Sequence, residues 1–168
     1  MAGRQHILVA INDFPMTQHL EDCLRKTVQD PNGVTVHLFH ALGPLPPQLL
    51  ESRGSEDPAK EKKVEAEQVQ QQESWFRRAR AEAEPLLQTA TARLRDLLSD
   101  TKIKSHFVLL YQREDLAAEI LKAAHHNDCA TIIVGHKSYP WLREQFHAHT
   151  AVQLESASPD VTVCAVNT

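Results

Sequence analysis

The segment Ala130-Thr-Ile-Ile-Val-Gly-His-Lys-Ser138 constrains the fold more than any other. Ile132, Ile133 and Val134 form an unbroken β-branched run, and Gly135 ends it. Branching at Cβ favours extended backbone, and a run that is apolar at every position needs burial on both faces. An inner strand of a parallel sheet offers that environment. A loop rich in His, Lys and Arg follows. In an open α/β sheet, ligands sit beyond the carboxyl ends of central strands. The stretch is therefore expected to be both the middle of the core and the floor of any site.

Other segments fit the same scheme. His6-Ile-Leu-Val-Ala-Ile11 reads as strand one, and Asn12-Asp13-Phe14-Pro15 breaks it. Leu20, Cys23, Leu24, Thr27 and Val28 recur at helical spacing, which predicts a helix over about 16–29. After the turn signal Pro31-Asn32-Gly33, residues Val34 to Ala41 read as strand two. Lys102 to Tyr111 reads as strand three, and the segment opening this section is strand four. Between them, Leu116, Ala117, Ile120, Leu121 and Ala124 mark a helix with acids at its start and His125-His126 at its end, as its dipole favours. A short helix over about 148–157 and a last strand, Val161 to Val166, complete the pattern. Alternation of strands and helices implies parallel strands with right-handed crossovers. The expected fold class is α/β, a single doubly wound five-stranded sheet of order 3-2-1-4-5 with helices on both faces. Its switch point falls between strands one and four, so Asn12-Asp13 and Gly135-His136 are expected to face one crevice.

Residues 43–59, with Gly43-Pro44-Leu45-Pro46-Pro47 and Arg53-Gly54-Ser55, read as a long loop without a second domain behind it. Residues 60–99 are helical in pattern. Phe76, Ala79, Ala83, Leu86, Leu87, Ala90, Leu94, Leu97 and Leu98 make one apolar stripe. Pro85 is expected to kink or restart this helix. Residues 60–74 carry only Val64, Ala66 and Val69 among Lys, Glu and Gln. They suit a solvated extension, with a partner-binding arm as the alternative.

At 168 residues the chain has the length of one domain. No stretch reaches the roughly 18 apolar residues that a bilayer span needs. The amino terminus enters a strand directly, without the apolar core of a signal peptide, and Gly3 does not stand where N-myristoylation needs it. Cys23, Cys129 and Cys164 are odd in number and share no Cys-x-x-Cys spacing, which suits reduced thiols and a cytoplasmic location. Net charge −4 argues against a general nucleic-acid binder.

With these elements in place, the chain resembles the universal stress protein family over nearly its whole length. Ile7-Leu-Val-Ala-Ile-Asn12, Ala118-Glu-Ile-Leu-Lys-Ala-Ala and above all Ala130-Thr-Ile-Ile-Val-Gly135 carry the resemblance. It implies the adenine nucleotide alpha hydrolase-like fold and a homodimer formed through the last strand, Val161, Thr162, Val163, Cys164, Ala165 and Val166. Nucleotide-binding members carry Gly-x2-Gly-x9-Gly-Ser/Thr after strand four. Here Gly135 is present, but Ser138 and Ala148 stand where the next two glycines belong, and His149 stands at the hydroxyl position. Thr150 could supply that hydroxyl if the loop slips by one residue. Glycines let backbone N–H groups close on phosphate oxygens, and a Cβ at two of those points obstructs this. Tyr139-Pro140-Trp141 adds bulk, and Asn12 stands where relatives usually end strand one in Asp.

The resemblance therefore implies a degenerate nucleotide motif. A ligand, if any binds, would meet Asn12, Asp13, Ala41, Gly135, His136, Lys137, Ser138, Ala148, His149 and Thr150. The expected protein is a homodimeric binding or regulatory protein, not an enzyme, without a cofactor, with itself and an unidentified regulatory protein as partners, and without nucleic acid or membrane. ATP binding with slow hydrolysis or phosphate transfer is the alternative. A second alternative is a sensor of another anion at the basic mouth formed by His136, Lys137, Arg143, His147 and His149, or of a metal on His136, His147 and His149. These lack a carboxylate or Cys at ligand spacing. Arg77, Arg78 and Arg80, flanked by Glu73, Glu82 and Glu84, read as surface pairs. Trp75-Phe76 reads as core under the loop, with an exposed contact as the alternative. Cys23 and Cys164 read as packing residues, and Cys129 as inert. No nucleophile–base pair stands out, since Ser138 near His136 lacks the Gly-x-Ser-x-Gly elbow.

Overall fold

A computed structural model describes residues 4–11, 18–51, 54–112, 115–135 and 161–166. The strands are β1 (Gln5–Ala10), β2 (Val34–Leu42), β3 (Lys102–Leu109), β4 (Thr131–Gly135) and β5 (Thr162–Val166). All pairings are parallel and the order is β3-β2-β1-β4-β5. This is the doubly wound arrangement expected from the sequence. The helices are α1 (Gln18–Thr27), α2 (Pro47–Leu50), α3 (Pro58–Leu97) and α4 (Asp115–His126). The short helix expected over 148–157 lies outside the described residues.

The sheet separates two apolar layers. On one face Ile7, Val9, Val36, Leu38 and Ile133 meet Leu20 and Leu24 of α1 and Ala90 and Leu94 of α3. On the other, Leu8, Ala10, Phe39, Ile132 and Val134 meet Leu116, Ala117, Ile120 and Ala124 of α4. Successive strand residues point to opposite faces, so strands covered on both sides must be apolar throughout. Residues 7–10 of β1 and 132–134 of β4 meet that demand. β2 is buried along its whole length too, yet carries His37 and His40 inside it.

α3 begins where Asp57 accepts a hydrogen bond from the Ala59 amide at 3.1 Å, with Pro58 at the first helical position. It runs forty residues without the restart expected at Pro85. Pro85 removes one amide from a long ladder, and the contacts of Ala83, Leu87, Ala90 and Leu94 hold the turns on either side of it. Leu86 does not belong to the apolar stripe, being 47% exposed. It neighbours Leu87 at 100° around the axis, and only one of the two can face the sheet.

The segment after β2 is more ordered than a loop. It contains α2, and Leu45 is buried with its amide on the Leu110 carbonyl at 3.0 Å. Gly43 has φ +117°, and a Cβ there would stand 2.7 Å from the Leu110 oxygen, so glycine is required. The first half of α3 braces this segment. Gln68 Nε2 donates to the carbonyls of Leu49 and Glu51, and Gln72 Nε2 to that of Leu49 at 2.7 Å. Residues 60–74 are thus not a purely solvated extension. One face of them is an internal strut.

Candidate functional site

The crevice follows from the topology. β1 and β4 are parallel neighbours, with Ala10 opposite Val134. Their carboxyl ends leave the sheet side by side, at Ile11 and Gly135, while α1 and α4 pack on opposite faces of the sheet. That divergence is the switch point at which doubly wound sheets bind ligands. The end of β1 is held firmly. Its Ile11 amide donates to Phe39 O at 3.1 Å, and His40 Nδ1 donates to Ile11 O at 3.0 Å. His40 is buried against Phe107, edge to face. Burial pulls its pKa down, partly opposed by the Ile11 carbonyl, so it serves as a neutral donor that anchors the strand.

Of the residues expected at the crevice, Gly135 closes β4 opposite Val166, and Ala41 lies near the carboxyl end of β2. Ala41 is packed among Leu8, Ala10 and α4, which makes it part of the wall behind the crevice. Asn12, Asp13, His136, Lys137, Ser138, Ala148, His149 and Thr150 lie outside the described residues, as do Arg143 and His147. Among the described residues no group of three His, Cys, Asp or Glu side chains is arranged to hold a metal. No helix among them is long and apolar enough to cross a membrane.

The thiols are placed for packing. Cys129 is buried, and burial, with Asp128 next to it, pushes its thiol up to about 12, far from a reactive thiolate. Cys23 and Cys164 are half-buried beside the α1–α3 layer, and burial raises the Cys23 thiol as well. Arg80 does not fit the expectation of surface pairs only, since its guanidinium lies 5.1 Å from the Phe107 ring centroid. The ion pair formed among the described residues joins Arg93 of α3 to Glu21 of α1.

A further polar feature escaped the sequence reading. His6, His37 and His106 come from three adjacent strands and form a chain beneath α4. His6 Nδ1 stands 3.0 Å from His37 Nε2, and His37 Nδ1 stands 2.9 Å from His106 Nε2. The rings stack with centroids 5.3 and 5.1 Å apart. Burial, with His106, His6 and Lys104 around it, lowers the pKa of His37 to about 4. Burial, Lys104 and His126 lower that of His106. A neutral His37 donates through one ring nitrogen and accepts at the other, so the hydrogen bonds run in one sense through it, either toward β3 or back toward β1. The two nitrogens of His37 serve different neighbours, so this chain does not converge on one metal ion.

The strand order and parallel pairing place the chain among doubly wound α/β proteins. The model of the universal stress protein family matches residues 3–164. The chain belongs to the universal stress protein family. Among solved structures, the universal stress protein from Archaeoglobus fulgidus in complex with dAMP is similar at 17% identity, with 97% of this chain and 98% of that one covered and a TM-score of 0.51. A second structure of the universal stress protein from the same organism is similar at 16% identity, with 98% and 95% covered and a TM-score of 0.51. A search of curated protein sequences returns no match.

Proposed function

We propose that this universal stress protein acts by binding, as a homodimer joined through β5, and does not take ATP in the manner of its glycine-bearing relatives. The reading rests on one observation. The sequence after Gly135 carries Ser138 and Ala148 where the nucleotide-binding pattern Gly-x2-Gly-x9-Gly has its second and third glycines, which close phosphate approach calls for. Its role is then regulatory, through the surface it presents to a partner, rather than catalytic. The closing experiment is a titration of the purified protein with ATP and magnesium by calorimetry, preceded by an absorbance check for nucleotide carried through purification. No binding at micromolar concentrations is expected. Saturable micromolar binding would overturn the reading.

The competing reading is an adenine-nucleotide binder with slow turnover. Gly135 is in place at the switch point, and the Archaeoglobus fulgidus protein of similar fold is in complex with dAMP. Phosphate release from ATP, abolished by Gly135→Val, would favour it.

A further inference from the structure

The far edge of the sheet carries features that the crevice does not explain. β3 is the first strand of the order, and its outer side pairs with no strand among the described residues. Its register with β2 is unbroken over eight residue pairs. The Leu110 amide points inward to Leu42 O at 2.8 Å. Alternation then turns the amides and carbonyls of Ser105 and Phe107 outward, where no strand among the described residues pairs with them. A groove of about 540 Å³ runs along this edge. Its floor is β3, one wall is α3 at Arg80, and the other is α4 at Lys122 and His126. Arg80 and Phe107 share the α3 side, whereas Lys104, His106 and Val108 share the α4 side.

The charge here opposes that of the whole molecule. The chain carries a net −4, yet the groove is lined by the cations Arg80 and Lys122 against the single acid Glu119, with the imidazoles of His106 and His126 beside them. Lys102 and Lys104 extend the positive charge along the strand, both exposed. Lysines on an edge strand deter pairing with a like edge, so a second copy of β3 is repelled. They do not deter an acidic one.

We propose that the β3 edge is a docking site for an acidic, extended segment of a partner protein, which adds to the sheet as a sixth strand. Backbone hydrogen bonds to Ser105 and Phe107 hold it, as in strand addition generally. Its side chains alternate between the two walls, so acids at consecutive positions meet Arg80 on one side and Lys122 with Lys104 on the other. Phe107 packs under the Arg80 guanidinium and keeps it over the groove.

The probe is a fluorescently labelled peptide of about eight residues built from glutamate and valine, the length of a typical strand. Anisotropy should show saturable binding that weakens as salt rises, and a lysine–valine peptide should not bind. Arg80→Glu and Lys122→Glu should each weaken binding about tenfold or more, with unchanged thermal midpoints, because both side chains are on the surface. Ser105→Pro removes one outward amide at a site where an edge strand tolerates proline, and should abolish binding. Hydrogen exchange at the Ser105 and Phe107 amides of the unaltered protein should slow in the complex, a readout independent of any variant. No binding of the glutamate peptide, or equal binding of the lysine peptide, would overturn the proposal. Binding that leaves those two amides exchanging as before would overturn it too, since the peptide would then lie on the surface without joining the sheet.

Discussion

His37 is 1% exposed, yet both of its ring nitrogens are engaged by other imidazoles, and no carboxylate stands among the groups that shift it. A proton added there would sit beside His6, His106 and Lys104, and burial alone already disfavours it. The folded pKa of about 4 lies below the ordinary 6.5. Below pH 6.5 the unfolded chain takes up a proton that the folded chain refuses. Stability is therefore full above about 6.5, declines as pH falls toward about 4, and levels off for this residue below that. His40 and His106 are shifted in the same direction and steepen the decline. Urea denaturation at about pH 7 and about pH 5 should show a clear drop in midpoint, and the drop should be smaller for His37→Gln. An equal drop in both proteins would mean that other groups govern the acid limb. None of this was legible in the sequence. His6 and His37 are 31 residues apart and His37 and His106 are 69 apart, and only the register of three parallel strands brings them together. That register is set by packing of the whole sheet, which local pattern does not report.

α3 is the element in which sequence periodicity was most informative and least complete. Ala83, Leu87, Ala90 and Leu94 fall three or four apart, and all four are buried as that spacing implies. The same pattern admitted Leu86, because an apolar residue beside the stripe looks like part of it until the rotation of the helix is known. The two leucines give a paired prediction. Leu94 is fully buried against both α1 and the sheet, so Leu94→Ala should cost about 2–5 kcal/mol through lost contacts and a residual cavity. Leu86→Ala should stay within about 0.5 kcal/mol, as surface changes do. Equilibrium denaturation of both variants checks this, and comparable losses would mean that the helix is rotated from the described position. The amino-terminal half of α3 was legible as helix but not as strut. Gln68 and Gln72 look like solvent-facing residues in sequence, and their bonds to Leu49 and Glu51 depend on where a Pro-rich segment folds back. The strands show the converse. Residues 7–10 of β1 and 132–134 of β4 were readable at once because burial on both faces leaves those stretches no polar positions.

The whole molecule is a sheet with two ends of unlike chemistry. β3 closes one end with Lys102, Lys104 and the basic groove beside them, and β5 closes the other with Thr-Val-Cys-Ala-Val, which has no charge. An edge without charge has nothing to repel a copy of itself. β5 is also incompletely covered: Val163 and Cys164 flank the two apolar layers, yet both remain half-buried. Twofold pairing of two β5 strands would continue both layers into a second molecule and cover that surface, and an isologous contact closes on itself as a dimer. The inward bond of the Thr162 amide to Ala130 O at 2.8 Å leaves the alternate Val163 amide facing outward, where a partner strand would accept it. Thr162 itself is exposed. Thr162→Lys would place a positive charge on the edge of each copy and bring the two together across the pairing. Light scattering on a sizing column should give a dimer mass for the unaltered protein and a shift toward monomer for this variant at equal concentration. Lys104→Thr, the reverse change on the opposite edge, should leave the dimer intact. A monomer at every accessible concentration, or a dimer indifferent to Thr162→Lys but broken by Lys104→Thr, would reverse the assignment of the two edges.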